Sequence, residues 1–253
     1  MGQPLLNIGI QTETEITFLL KGDFVTERRK ETLSGRFKAV LNKDIVEISG
    51  QGLFLKSKNE ITFVPVDAED SSLVLQSVTI GKNFHWEKKE NQKFTGSLKI
   101  IKDGEKLTAI NIVPLEEYLV SVISSEMNSA SSLELLKAHA IISRSWILAQ
   151  LDKKKKSSQH NLFPFIKTED EIIKWWDRED HDKFDFCSDD HCQRYQGITK
   201  VITENSFRAV EETRGIVLTE KNEICDTRFS KCCGGITEVF ENVWENVEHK
   251  YLK

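Results

Sequence analysis

Val113-Pro114-Leu115-Glu116-Glu117-Tyr118-Leu119-Val120-Ser121-Val122-Ile123 is the stretch in which the hydrophobic period of this chain changes from two to about 3.6. Leu115, Tyr118, Leu119, Val122 and Ile123 fall at i, i+3, i+4, i+7 and i+8, the stripe of an amphipathic helix. Pro114 suits the first helical position, where its missing N–H would have no partner. On the N-terminal side, residues 5 to about 113 read as strands. Ile8 and Ile10, Ile16 and Phe18, Phe37, Ala39 and Leu41, then Val46 and Ile48 each alternate with polar neighbours, as a half-buried strand requires. Gly22-Asp23, Ser34-Gly35 and Ser49-Gly50 mark turns between them. The cleanest hairpin joins 94–101 to 107–113 through Lys102-Asp103-Gly104-Glu105, whose Asp-Gly tolerates the positive φ of a tight turn.

On the C-terminal side, a second helix opens at Ser131, with Glu134 three residues on completing a capping box. It runs to about Leu151 and buries Leu136, Ala140, Ile147 and Leu151. Thr168 and Glu171 form a similar box ahead of a short helix ending near Trp175-Trp176. A further helix spans 205–213 and closes at Gly215 before a strand at 216–219. Strands first, then helices mixed with strands, predict an α+β fold: a β-rich N-terminal region followed by a mixed helix/strand domain.

With 253 residues the chain suits one large domain or two modest ones. Its 39% hydrophobic and 30% charged residues, with only 13 glycines and 4 prolines, exclude a disordered, collagenous or low-complexity chain. No apolar run approaches the ~18–20 residues of a membrane span. The opening MGQPLLNIGI has neither a basic start nor a long apolar run, so it does not read as a secretion leader; an exported protein lacking its leader would begin the same way. The formal charge of -5 is unevenly placed: residues 168–192 hold ten acids and three bases, a local net of -7. The basic footprint of a nucleic-acid binder is missing, and the lysine run 153–156 reads as a solvated helix end.

Four groups of residues could carry chemistry. Glu126, in Ser124-Ser125-Glu126-Met127 between two helices, is a carboxyl that a short connection can hold facing a cleft, or an ordinary solvated loop glutamate. Lys137 and Arg144 lie two turns apart on one helix face, offset from the Leu136/Ala140/Ile147 stripe. They could bind an anionic or carbonyl-rich ligand, orient a carboxylate, or simply face water. His139 and Trp146 share another face and read as packing residues. His181, Cys187, His191 and Cys192, spaced His-x5-Cys-x3-His-Cys, offer two imidazoles and two thiolates to a tetrahedral zinc. A Cys187–Cys192 disulfide and ordinary buried thiols are the alternatives. Cys232-Cys233-Gly234-Gly235 reads as a strand entering a tight turn, and the odd total of five cysteines leaves at least one unpaired.

Together these stretches resemble the stage II sporulation protein D (SpoIID/LytB) family from near Phe94 to the end. The similarity is carried by Val113-Pro114-Leu115-Glu116-Glu117-Tyr118-Leu119, Ser125-Glu126-Met127 and Leu133-Glu134-Leu135-Leu136-Lys137-Ala138-His139-Ala140. Arg144-Ser145-Trp146 stands where Arg-Thr-Tyr is usual. Cys187-Ser188-Asp189-Asp190-His191-Cys192-Gln193-Arg194-Tyr195 and Gly234-Gly235-Ile236-Thr237-Glu238 complete the set. His139 replaces a usual glutamine, and Cys232-Cys233 stands where small hydroxyl residues are common.

Residues 1–88 fall largely outside the resemblance and read as a β-rich accessory domain; the resemblance implies a SpoIID-like catalytic domain over 89–253, cut short at its C-terminus. It implies a peptidoglycan lytic transglycosylase with Glu126 as catalytic acid/base. Gly234, Gly235 and Thr237 are assigned to substrate, Lys137 and Arg144 to substrate or to scaffolding, and a structural zinc to His181, Cys187, His191 and Cys192. The implied partners are glycan strands, and in the manner of some relatives another cell-wall hydrolase; the implied compartment is the periplasm or outer cell surface. A non-catalytic cell-wall binding module or amidase enhancer is the rival reading, and a zinc hydrolase, needing an open coordination position, the third.

Overall fold

The computed structural model describes residues 3–27, 29–82, 84–156, 165–174, 181–201, 203–230, 232–244 and 246–252. It is an α+β fold in which helices follow an extended sheet. The strands are β1 (Leu5–Glu13), β2 (Glu15–Thr26), β3 (Arg29–Asn42), β4 (Ile45–Gly50), β5 (Leu53–Ser57), β6 (Glu60–Pro65), β7 (Ser72–Ile80), β8 (Lys88–Phe94), β9 (Ser97–Asp103) and β10 (Lys106–Pro114). Three short pairs follow: β11 (Phe165–Lys167) with β12 (Ile172–Lys174), β13 (Phe186–Cys187) on β1, and β14 (Thr219–Glu220) with β15 (Glu223–Ile224). The helices are α1 (Leu115–Glu126), α2 (Leu133–Lys156), α3 (Asn205–Glu212) and the short α4 (Phe240–Val243).

The sheet order is β13-β1-β10-β9-β6-β2-β3-β4-β5, with β7 also on β2 and β8 on β7. Alternation decides which residues face inward: Ile16, Phe18 and Leu20 of β2, Phe37 and Ala39 of β3, and Val46 and Ile48 of β4 are all buried. Phe18, Phe37 and Phe63 meet at ring-centroid separations of 5.2 to 6.1 Å. The expected hairpin forms between β9 and β10, with Asp103 opposite Lys106 and Gly104 at φ +58° in the turn. Phe94, expected at its start, belongs to β8. Ladders β1–β10 and β6–β9 both join residues on either side of position 88, so the sheet continues across the boundary expected there.

The change of period is where the backbone turns. Pro114, expected as the first helical residue, ends β10 and is the N-cap of α1 at ψ 146°, so the helix starts one position later, at Leu115. Leu115, Tyr118, Leu119, Val122 and Ile123 are all buried. Glu126, expected in the connection, is the last residue of α1. The cap of α2 lies one residue later than expected: Ser132 Oγ accepts the Leu135 N–H at 3.4 Å, and Glu134 pairs with Lys137 instead of closing a capping box. The helix expected after Thr168 is a hairpin. Thr168 N–H donates to the Glu171 carbonyl (2.9 Å) and Glu171 N–H to Thr168 Oγ1 (3.1 Å), so the side chain that would cap a helix closes a turn between β11 and β12. Trp175-Trp176 lies outside the described residues. The strand expected at 216–219 starts only at Thr219, because Ile216 and Leu218 dock on α2 through the Ile216 carbonyl and the Leu218 N–H.

Candidate functional site

The end of α1 and the Cys/His segment are far apart in sequence and meet in space. Edge pairing brings the segment in: β13 lies parallel to β1, with Ile8 opposite Phe186 and Gly9 opposite Cys187. Asp185 N–H donates to the Asn7 carbonyl (2.9 Å) and Ser188 N–H to the Gly9 carbonyl (3.0 Å), while Asp185 Oδ2 accepts the Asn7 N–H at 2.8 Å. From that anchored edge the chain turns through Cys192, whose N–H donates to the Asp189 carbonyl, and returns at Tyr195, whose N–H donates to the Ser188 carbonyl. Buried Tyr195 stacks on Tyr118 of α1 (5.0 Å, 17°) and its hydroxyl meets Asn111 Oδ1 at 2.5 Å.

Between those anchors the Arg194 backbone N–H donates to Glu126 Oε1 at 2.7 Å. Glu126 is half-buried, and its carboxylate is held by the main chain of the loop that carries the two histidines and two cysteines. Sequence reasoning quoted Arg194 only as part of a motif; its position two residues after Cys192 was the available signal. Buried Tyr118 lies between the two features and donates to Gln193 Oε1 at 3.4 Å. Burial pushes its hydroxyl pKa well up, reinforced by Cys192 and Cys187 and, less, by Tyr195 and Glu126.

The ligand atoms of His181, Cys187, His191 and Cys192 all lie within 4.8 Å of one another. Cys192 Sγ stands 3.5 Å from His181 Nε2 and 3.4 Å from His191 Nδ1, and Cys187 Sγ stands 3.9 Å from His191 Nδ1. Zinc bonds of about 2.3 Å to sulfur and about 2.0–2.1 Å to nitrogen imply tetrahedral S···N edges of about 3.6 Å, so the set fits that ion. Hydrogen bonding with Cys192 foremost, and with His181, His191 and the Asp189 backbone, holds the Cys187 thiol far below its ordinary pKa against the opposing effect of burial. The structure joins none of the five cysteines in a disulfide, Cys187 and Cys192 included. The His181 ring packs on Phe184 (4.5 Å), and Lys154 Nζ donates to the carbonyls of both.

The residues assigned to substrate are dispersed. Arg144 is 1% exposed: its Nε and Nη2 donate to Glu116 Oε1 (3.1 Å) and Oε2 (2.6 Å), and its Nη1 to the Ile216 carbonyl (3.1 Å). Its guanidinium fork is committed to the protein, tying α2 to α1 and to the 216 segment. Glu116, which sequence reasoning passed over, is its partner. Lys137 Nζ pairs with Glu134 (3.0 Å) and with Glu212 of α3 (2.6 Å). Gly234 (φ +71°) and Gly235 (φ +117°) form an exposed turn with open space where a Cβ would be, followed by exposed Thr237; among the described residues no strand leads into it. His139 and Trp146 are buried, as packing residues should be.

Residues 103–219 match the family model described as Stage II sporulation protein, SpoIID. Stage II sporulation protein D of Bacillus subtilis is 28% identical over 153 residues, covering 57% of this chain and 39% of the relative. Stage II sporulation protein D of Bacillus amyloliquefaciens gives the same identity and coverage. An uncharacterized protein of Brachyspira hyodysenteriae is 27% identical over 152 residues, 60% of this chain and 34% of its own length. The matches thus span between a third and two fifths of these relatives. No helix among the described residues is long and apolar enough to cross a membrane. Over residues 103–219, the segment that runs from the β9–β10 turn through Glu126 and the Cys/His loop to β14, the chain is similar to the SpoIID family.

Proposed function

We propose that this chain is a peptidoglycan lytic transglycosylase with Glu126 as its acid and base. It cleaves the β-1,4 bond between N-acetylmuramic acid and N-acetylglucosamine and leaves a 1,6-anhydro ring. The observation that carries the reading is the Arg194 N–H on Glu126 Oε1 at 2.7 Å, which fixes one carboxyl at the end of a buried helix beside the loop that carries the two histidines and two cysteines. Hydrolytic glycosidases need two carboxyl groups. One suffices when the nucleophile is the substrate's own 6-hydroxyl, because an intramolecular attack avoids the entropic cost of recruiting water.

The Glu126 carboxyl gives its proton to the leaving glycosidic oxygen as the bond from that oxygen to the anomeric carbon breaks. The carboxylate then takes the proton of the 6-hydroxyl as that oxygen bonds to the same carbon, and no water is consumed. Oε1 already accepts an amide proton, so the acid proton travels on the other carboxyl oxygen. Zinc held by His181, Cys187, His191 and Cys192 would supply a structural cross-link, since four protein ligands fill a tetrahedral shell. These residues anchor the loop whose backbone orients Glu126. Arg144 serves as scaffold in this scheme; Lys137, Gly234, Gly235 and Thr237 remain candidates for outer contacts with the glycan.

The substrate puts the protein at the cell wall, in the periplasm or on the outer surface, with glycan strands as its partner and a second wall hydrolase as a candidate neighbour. Mass spectrometry of purified glycan strands incubated with the protein tests the reading. Wild type releases anhydromuramyl products and Glu126→Gln releases none, with an unchanged melting temperature. Products from Glu126→Gln would remove this residue from the mechanism. Glycan binding by wild type without any product would favour the binding-module or amidase-enhancer alternative.

A further inference from the structure

Seven residues outside the family match, 81–87, connect β7 to β8 and carry two large exposed aromatic rings: Phe84 is 51% and Trp86 is 37% exposed. The rings are stacked, with centroids 5.6 Å apart and planes 14° from parallel. Their positions are set by the backbone. Phe84 N–H donates to the Gly81 carbonyl (3.1 Å) and Glu87 N–H to the Phe84 carbonyl (3.0 Å), two consecutive closed turns. Trp86 lies directly on Gly81 (φ +65°), where a Cβ would stand 2.2 Å from Cζ3 of the indole. The guanidinium of Arg194 sits 5.1 Å from the Trp86 ring centroid, held by Asp190 through two hydrogen bonds of 3.0 and 2.9 Å. The backbone of the same Arg194 grips Glu126.

We propose that the Phe84/Trp86 pair is a sugar-binding platform, a subsite for the glycan strand joined to the catalytic carboxyl through Arg194, whose guanidinium meets the indole and whose backbone N–H meets Glu126. The proposal rests on the function argued above, which supplies the polysaccharide. A pyranose ring presents a flat face of axial C–H groups, and a flat, immobilised aromatic surface is its complement. Ordering the platform in advance spares the entropy of fixing it on binding. Size argues against a protein partner. From typical aromatic areas the two rings expose about 200 Å², far below the ~800 Å² per side of a stable protein interface. Arg194, neutralised by Asp190, braces the indole and does not offer a free charge.

The test is co-sedimentation with purified glycan strands free of stem peptides, in a Glu126→Gln background so that binding is read without cleavage. Phe84→Ala, at an exposed position, should weaken binding about fivefold, the scale of one lost aromatic contact. Phe84→Trp should restore it, and the melting temperature should not move. Equal binding by the Phe84→Ala variant and its parent overturns the platform and leaves the transglycosylase reading standing. An effect of Phe84→Ala on self-association alone, by sedimentation velocity, also overturns it and makes the pair a contact between copies. Failure of the reading itself would show separately, as the absence of anhydromuramyl products from wild-type protein.

Discussion

Arg144→Met leaves the Glu116 carboxylate buried without its cation. The two side chains are 1% and 7% exposed, joined by hydrogen bonds of 3.1 and 2.6 Å, and the third arm of the fork holds the Ile216 carbonyl. Removing one partner of a buried pair costs about 3–5 kcal/mol, because the remaining charge is desolvated and unpaired. At roughly 2–4 °C per kcal/mol for a chain of this size, about 4 kcal/mol corresponds to a fall of about 8–16 °C in melting temperature. Glu116→Leu should cost a similar amount. The double variant should recover most of it, since replacing both charges with apolar groups of similar volume is often close to neutral. The assay is a double-mutant cycle by thermal and urea unfolding: two single losses of about 4 kcal/mol that fall to about 1 kcal/mol in the double variant amount to a coupling of about 7 kcal/mol. Single losses below about 1 kcal/mol that simply add would refute the buried-pair account. Arg144→Lys separates scaffold from ligand contact: it should lower stability with glycan binding intact in the folded protein, and loss of binding at an unchanged melting temperature would return Arg144 to the substrate site.

The metal set predicts about one equivalent of zinc per chain by elemental analysis, falling sharply in Cys187→Ser and His191→Ala. With free zinc about 1,000-fold above its dissociation constant, binding stabilises by about 4 kcal/mol. Chelation should therefore lower the melting temperature, and a protein that retains its melting point after complete metal removal would contradict the cross-link. His139 predicts a pH dependence. Burial lowers its pKa to about 4, and neither ring nitrogen has a hydrogen-bond partner among the described residues. Above pH about 6.5 both folded and unfolded states are neutral here. As the pH falls from about 6.5 to about 4 only the unfolded chain takes up this proton, so stability drops by about 1.4 kcal/mol per pH unit, about 3 kcal/mol in all. His139→Gln should flatten that part of the profile, and an unaltered slope in urea titrations at pH 4.5 to 7 would show that other groups carry it.

The readable parts of the fold were those governed by neighbours in sequence. The shift of period at Pro114, the β9–β10 turn at Gly104 and the ligand spacing of His181, Cys187, His191 and Cys192 all follow from local sterics, burial patterns and donor chemistry, and the chain shows them without a partner. The Thr168/Glu171 pair shows where local rules stop: the same hydroxyl that can cap a helix closed a hairpin turn, and only the pairing of β11 with β12 distinguishes the two. Non-local choices were invisible. Lys137 and Arg144 share a face by helical arithmetic, yet one reaches Glu212 at the surface and the other is buried on Glu116, because α1 and α3 pack against different parts of α2. The meeting of Glu126 with Arg194 across 68 positions depends on β13 joining β1 across 178, and the Phe84/Trp86 pair reaches that corner through Arg194. Sequence alone thus determined which residues could do chemistry and which local shapes they prefer. The tertiary structure decided which of them meet, because strand pairing and burial are set by the energy of the whole sheet and core.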